Sequence, residues 1–179
     1  MSIENETRKH QQEVAKQLTT ICQHLLERAT THDLSKLESP EAEMFEVYTP
    51  KLAGCTYGSD EYKQYLSELK PALDHHYANN RHHPEHKGIE NMTLIDIIEM
   101  FCDWYAATKR HNDGDIMKSI TINEPRFGIN PQLSNIFRNT VKLMKISDIF
   151  YKHVASKSRF NDAEQLDTKP IGDKEVENK

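Results

Sequence analysis

Histidine is concentrated in one short stretch of the chain. The segment "HHYANNRHHPEH", residues 75–86, holds five of the ten histidines. Imidazole nitrogens suit iron, manganese, cobalt or zinc, and the ring of Pro84 favours an extended backbone at His83. A helix end and a loop folding back from it can therefore bring imidazoles to one cation. The candidate ligands are His75, His76, His82, His83 and His86. The alternative is a polar loop whose histidines merely titrate near neutral pH.

A second candidate site is the string "HDLSK", in which His32 and Asp33 are adjacent and Lys36 follows. Neighbouring residues of one helix point about 100° apart, so both can reach one ion only where the backbone turns or a helix ends. We expect Lys36 to lie one turn beyond His32, where its ammonium can meet an anionic group bound to a metal. The alternative is that Asp33 simply caps a short helix.

Two residues elsewhere are candidates for the same site. At about 100° per residue, His10 lies within roughly 50° of the centre of the first helix's apolar stripe, so we expect it to face inward. Asp103 lies in an apolar helix beside alanines rather than lysines, as expected where another group packs closely. The alternatives are a core histidine and a solvated carboxylate in an ion pair.

Composition limits the class of protein. The chain has 179 residues, 36% hydrophobic and 28% charged, which is enough for one self-sufficient core. We expect a single all-α helical bundle over residues 1–155 and a polar, mobile tail over residues 156–179. A net charge of −5 provides no basic field that would recruit nucleic acid or an anionic membrane.

Cysteine usage and hydropathy indicate the compartment. The three cysteines form no CxxC pair, which argues against a disulfide framework and against a thiolate zinc site. No run of about 18 apolar residues occurs. We therefore expect a soluble, cytoplasmic protein, and a homo-oligomer is compatible with these features.

Helix signals indicate the elements that position the candidate residues. The spacing of Val14, Leu18, Ile21 and Leu25 predicts an amphipathic helix from Ile3 to about Thr30. Helix starts are predicted at Ser39 with Pro40, at Ser59 and at Thr93. The helix before the histidine-rich loop should end near Asn79 and Asn80, with a kink at Pro71. Two further helices are predicted, from Ile116 to Asn123 and from Pro131 to about Val154.

In chain order these motifs resemble the HD superfamily of metal-dependent phosphohydrolases. "HDLSKL" is similar to the "HDxGK" string of members such as the HD-GYP phosphodiesterases, with Ser35 where glycine is usual. "DWYAATKR" is similar to their late "DxxDAxxxxR" segment. More closely, "HDLSKLESPE", "HHYANNRHHPEH" and "EMFCDWYAATKRH" are similar to a family of small bacterial and phage proteins of unknown function.

The HD resemblance implies a helical bundle in which one histidine, the HD pair and a late aspartate bind a metal. Carried over to this chain, these ligands are His10, His32, Asp33 and Asp103. Members with two metals use additional histidines between the HD pair and the late aspartate, where residues 75–86 lie. We expect one ligand from His75 and His76, another from His82, His83 and His86, and one or two divalent ions (Mn, Fe, Co, Ni or Zn).

The predicted function is hydrolysis of a phosphorylated small molecule, a nucleotide or related phosphate ester, by a metal-activated water. Asp33 and Lys36 are the predicted catalytic residues, and Asp96 or Glu85 could transfer protons. The cations expected to neutralise phosphoryl oxygens are Lys36, Arg81, Arg110, Lys118 and Arg126. Two alternatives remain: a di-iron oxygenase of HD type, and a non-catalytic protein that sequesters a nucleotide or blocks a partner.

Overall fold

The computed structural model describes residues 2–56, 59–110 and 114–146, and every regular element in these ranges is a helix. The all-α prediction is therefore confirmed. The α-helices are α1 (Ile3–Thr31), α2 (Glu41–Gly54), α3 (Asp60–Asn79), α4 (Pro84–Lys87), α5 (Leu94–Thr108), α6 (Ile116–Phe127) and α7 (131–146). Short 3₁₀ helices span Leu34–Leu37 and Ile89–Asn91. The predicted tail and the end of the last predicted helix lie outside the described residues.

The chain divides into two compact units, Met1–Asn130 and Pro131–Lys179. All the predicted site residues belong to the first unit, and α7 is the described part of the second. The prediction of a single domain over residues 1–155 stays a prediction. Within the described ranges, no helix is both long and apolar enough to cross a bilayer.

Side-chain caps start two of the predicted helices. The Ser59 hydroxyl accepts a hydrogen bond from the Tyr62 amide (3.1 Å), and the Thr93 hydroxyl accepts one from the Asp96 amide (3.2 Å). Both predicted starts are confirmed. The predicted Ser39 cap is wrong, because Pro40 occupies the N-cap position of α2 and the Glu38 carbonyl accepts from the first amides of the helix instead.

Internal prolines do not end α3 or α6. α3 continues through Pro71 and ends at Asn79, which confirms the predicted end. α6 was predicted to end at Asn123, but it continues through Pro125 to Phe127. It ends where Gly128 adopts a left-handed conformation with φ 63°, the usual means of terminating a helix.

The core of the first unit lies among α3, α5 and α6. Its buried apolar side chains are Leu69, Ala72, Met100, Phe101, Tyr105, Ile116, Ile120 and Ile129. Three of these side chains, Met100, Phe101 and Tyr105, lie on α5. By the usual scale, burying each large apolar side chain contributes about 1.5–3 kcal/mol, so this cluster anchors the helix that carries Glu99 and Asp103.

The apolar stripe of α1 is exposed along much of the helix. Val14, Leu18 and Ile21 are 42%, 57% and 37% exposed, and none of the described residues of α1 is buried. The helix meets α5 near its C-terminal end, where Leu25 and Ile98 line a shared cavity. The apolar periodicity thus predicted correctly that this segment is a helix, but it did not predict that much of the apolar stripe is exposed.

Candidate metal centre

His32 and Asp33 lie at the turn that ends α1. His32 is the C-cap, and Asp33 has φ 56°, a left-handed conformation that aspartate tolerates better than most residues. The turn brings His32 Nε2 within 3.5 Å of Asp33 Oδ2. The predicted requirement, a backbone turn at a helix end that lets adjacent side chains converge, is confirmed.

Histidines from the end of α3 and the following loop join this turn. Two groups of donor atoms result: the four-residue group, Asp33, His76, His82 and His83, and the three-residue group, His32, His82 and Asp103. Within each group the donor atoms lie within 4.8 Å of one another. His82 belongs to both, and Asp33 faces both, since its Oδ2 lies near His32 while its Oδ1 lies near His76 and His82.

The spacing of the four-residue group fits a shared cation. Two ligand atoms about 2.1 Å from one ion lie roughly 3.0–3.4 Å apart at bond angles of about 90–109°. Asp33 Oδ1 is 3.3 Å from His76 Nε2 and 3.4 Å from His82 Nε2, and His76 Nε2 is 2.9 Å from His83 Nε2. The three-residue group is wider, with 3.8 Å between His32 Nε2 and Asp103 Oδ1.

Two atoms of the four-residue group are buried without a hydrogen bond to any described residue. They are Asp33 Oδ1 and His82 Nε2, and they face each other across 3.4 Å. A buried polar atom left unpaired is costly, and such atoms are uncommon in native proteins. A cation between a carboxylate oxygen and an imidazole lone pair would satisfy both atoms. The donor chemistry therefore fits a metal ion.

Two buried glutamates accept hydrogen bonds from Nδ1 atoms of the imidazoles. Nδ1 of His76 donates to Glu41 Oε2 (2.8 Å), and Nδ1 of His32 donates to Glu99 Oε1 (3.0 Å). Glu99 Oε1 also lies 3.2 Å from His82 Nδ1. Because an ionised carboxylate only accepts, these contacts place a hydrogen on each of these Nδ1 atoms, so Nε2 is the atom of each ring that can bind a cation once it carries no proton. Sequence reasoning missed both glutamates as positioning residues.

Burial and neighbouring charges adjust the ionisation of the donors. The carboxylates of Asp103 and Glu99, which face the two ring nitrogens of His32, raise its pKa to about 10, so a metal ion would have to displace the proton on Nε2. Burial, with the neighbouring His82, lowers the pKa of His83 to about 3 and keeps its ring neutral. Burial opposes ionisation of Asp33, but contacts with histidines and Lys36 outweigh it and hold its pKa below the usual range. The four-residue group thus contains both a carboxylate and a neutral imidazole at neutral pH.

Asp96 belongs to an ion-pair network behind the histidines. Its buried carboxylate accepts from Arg28 Nη2 (3.0 Å), from Arg81 Nη2 (3.0 Å) and from the Thr93 amide (2.9 Å). Arg28 Nη1 also donates to Glu99 Oε2 (3.1 Å), which links the network to the imidazoles. The oxygens of Asp96 are bonded to these donors and it lies outside both groups, so its predicted proton-transfer role stays a prediction.

The Asp96 network should make stability depend on pH. Burial opposes ionisation of Asp96, but hydrogen bonds from Arg81 and Thr93 hold the pKa of its carboxyl below the ordinary 3.8. A lowered folded-state pKa contributes stability above pH 3.8 that is lost as the pH falls below it. We expect Asp96→Asn to lower the free energy of unfolding by roughly 2–3 kcal/mol at pH 7 and to reduce its decline below pH 4. Urea titrations at pH 7 and pH 3 measure both effects. If the free energy of unfolding falls between these pH values as much in Asp96→Asn as in the unmodified chain, the prediction is wrong.

Three predicted ligands lie outside both groups. His10 is exposed on α1, so its predicted inward orientation is wrong, because the stripe that oriented it is itself exposed there. His75 donates from Nδ1 to Glu41 Oε1 (2.7 Å), and His86 donates from Nδ1 to the Tyr77 carbonyl (2.8 Å). The histidine-rich stretch supplies three donors, His76, His82 and His83, rather than the two expected.

The predicted substrate-binding cations lie in different surroundings. Lys36 Nζ is 2.6 Å from Asp33 Oδ2, directly beside the four-residue group. Arg81 is paired with Asp96, and Arg126 donates to Glu85 at 2.8 Å. Arg110 and Lys118 are exposed. Lys36 is therefore the cation best placed for an anion at the group, and substrate contacts by the other four stay predictions.

The fold and the site define an all-α protein with a candidate histidine and aspartate metal centre. The chain belongs to DUF5662, a family of unknown function whose model matches residues 1–143. That match includes every residue of both groups and confirms the resemblance to a family of unknown function, while membership of the HD superfamily stays a prediction. Searches of curated proteins and of solved structures found no match.

Proposed function

We propose that the two groups bind one or two divalent cations and that the chain uses them to hydrolyse a phosphate ester of nucleotide type. The observation that carries the proposal is the facing pair of buried, unpaired atoms, Asp33 Oδ1 and His82 Nε2, within a group of nitrogen and oxygen donors. The "HDLSK" turn supports the same chemistry, because it presents adjacent donors beside the Lys36 ammonium.

The donor set supports a transition metal rather than magnesium or calcium. Imidazole suits zinc, iron, cobalt, nickel or manganese, whereas magnesium and calcium prefer oxygen ligands throughout. Cys22, Cys55 and Cys102 belong to neither group. A single ion would be held by the four-residue group. A second would fall to His32 and Asp103 with the Asp33 carboxylate facing both, because the one Nε2 lone pair of His82 can serve a single ion.

The chain's own residues would act by positioning and charge. When bound, a divalent cation supplies Lewis acidity, which polarises a phosphoryl oxygen and lowers the pKa of a water. Glu41 keeps a hydrogen on Nδ1 of His76, and Glu99 does the same for His32 and His82, so that the Nε2 atoms of these rings face the site without rearrangement. Lys36 would neutralise negative charge on a phosphoryl oxygen next to Asp33.

The proposed activity is tested with the full chain after chelation and reloading with single metals. Nucleoside mono-, di- and triphosphates, cyclic dinucleotides and simple phosphate esters would be incubated with each form without oxygen. We expect phosphate release that depends on the metal and continues anaerobically. Product formation only in the presence of oxygen would favour an oxygenase. Stoichiometric nucleotide capture with no product under any metal would favour a binding protein; either result would contradict hydrolysis.

A further inference from the structure

A cavity of about 430 Å³ adjoins the candidate metal centre between α1 and α5. His32 and Asp103, two members of the three-residue group, line one side. Apolar side chains line much of the rest: Leu25, Ala29, Ile98 and Ala106. Its volume lies within the range of about 300–1,000 Å³ that is typical of small-molecule sites. A ligand whose phosphoryl group lies at His32 and Asp103 would therefore extend into an apolar space.

We propose that this cavity binds the uncharged ring of a phosphomonoester, so that the substrate class is an aryl phosphate or a nucleoside monophosphate. The inference rests on the proposed function, because it takes the phosphoryl group to lie at the metal centre. The apolar walls favour a ring over the hydroxyl-rich carbon chain of a sugar phosphate, whose polar groups would lose water without finding partners.

The charges around the cavity argue against a second phosphate group there. Arg28 lines the cavity, but its terminal nitrogens are bonded to Asp96 and Glu99. The other charged groups of the lining include the carboxylates of Glu99 and Asp103, which repel an anion. When His32 binds a metal and its ring is neutral, a diphosphate or triphosphate tail directed into this cavity would therefore meet two carboxylates and one guanidinium that is already paired.

The preference is measured with two phosphonates that cannot be hydrolysed. Phenylphosphonate and methylphosphonate share the phosphoryl head and differ in the ring, and isothermal titration calorimetry on the metal-loaded full chain gives both affinities. A ring that buries about 100 Å² of apolar surface should gain at least roughly tenfold in affinity. Equal affinities, or no binding of phenylphosphonate, would overturn the assignment of the cavity.

A pair of neighbouring alanines on α5 provides a matched test of location. Both alanines are exposed on the same helix, but Ala106 lines the cavity and Ala107 is not part of the lining. We expect Ala106→Phe to fill the cavity and weaken phenylphosphonate at least fivefold without affecting methylphosphonate. Ala107→Phe should leave both affinities unchanged. Ala29→Phe fills the same space from α1 and replaces Ala106→Phe if that variant does not fold. If the cavity variant and Ala107→Phe change the affinity for phenylphosphonate equally, the proposal is overturned.

The outcomes separate this inference from the hydrolase proposal. Hydrolysis of simple esters together with equal phosphonate affinities would keep the hydrolase and overturn the ring site. Ring-dependent phosphonate binding that is lost in Ala106→Phe, with no ester hydrolysed under any metal, would keep the ring site and overturn the hydrolase.

Discussion

Replacing Asp33 with asparagine is expected to lower the affinity for a divalent cation at least 100-fold and to abolish phosphate ester hydrolysis. Asp33 faces both groups, and its Oδ1 is one of the two buried atoms without a hydrogen bond. Changes to groups that only support a ligand typically cost about 10- to 100-fold, so removal of a charged donor should cost more. Asparagine is the appropriate replacement, because it also tolerates the left-handed φ of 56° at this position.

The measurement is calorimetric titration of the chelated protein with manganese or zinc, with circular dichroism to confirm the helical content. Asp60→Asn is the matched control, since Asp60 is exposed at the start of α3, where it forms an ion pair with Lys63 at 3.4 Å. The control should bind metal like the unmodified chain. If Asp33→Asn binds as tightly as Asp60→Asn, neither group is the metal site.

Replacing Glu99 with glutamine should affect both groups at once. Glu99 Oε1 accepts from His32 Nδ1 and lies beside His82 Nδ1, while its Oε2 accepts from Arg28. A glutamine offers an NH₂ group in place of one carboxylate oxygen, so it cannot hold all three donors. We expect metal affinity to fall about 10- to 100-fold, and the free energy of unfolding to fall by roughly 1–3 kcal/mol because Arg28 loses a charged partner.

Glu27→Gln provides the control for this change. Glu27 is exposed on α1, one residue before Arg28, and belongs to neither group. Metal titration and urea unfolding of both variants give the comparison. A Glu99→Gln protein with the affinity and stability of Glu27→Gln would show that Glu99 does not position the imidazoles.

Much of the helical framework follows from local sequence signals. The hydroxyls of Ser59 and Thr93 start helices because each satisfies an amide that has no partner within the helix. The predicted end of the first helix agrees with the observed Thr31, next to the HD pair. These features depend on residues close in sequence. The cap at Ser39 failed because a backbone carbonyl, Glu38, took the role that a side chain was expected to fill.

The site was predictable only in part, because its geometry is tertiary. The need for a turn at His32 and Asp33 followed from helix geometry, and the histidine-rich loop indicated more donors. Which histidines converge depends on how α1, α2, α3 and α5 pack. Glu41 gave no distinguishing signal, since an acidic residue in the first turn of a helix is ordinarily explained by the helix dipole.

The error at His10 has the same origin. Helix periodicity assigns a residue to a face of its helix, but it does not show which part of that face meets another helix. Near His10 the apolar face of α1 is exposed, and contact with α5 comes only later along the helix. The first ligand implied by the HD resemblance therefore has no counterpart at this position in the described structure, and imidazoles from residues 75–86 lie at the turn instead.

The most direct test of the metal centre is the metal content of the full chain after chelation, reloading and removal of free ions. Elemental analysis would be run after loading with manganese, iron, cobalt, nickel and zinc in turn, with Asp33→Asn treated in parallel. The structure predicts one or two ions retained per chain for at least one of these metals, and none in Asp33→Asn. A chain that retains no ion after any loading, or that retains the same amount with Asp33 replaced, would contradict the proposed centre.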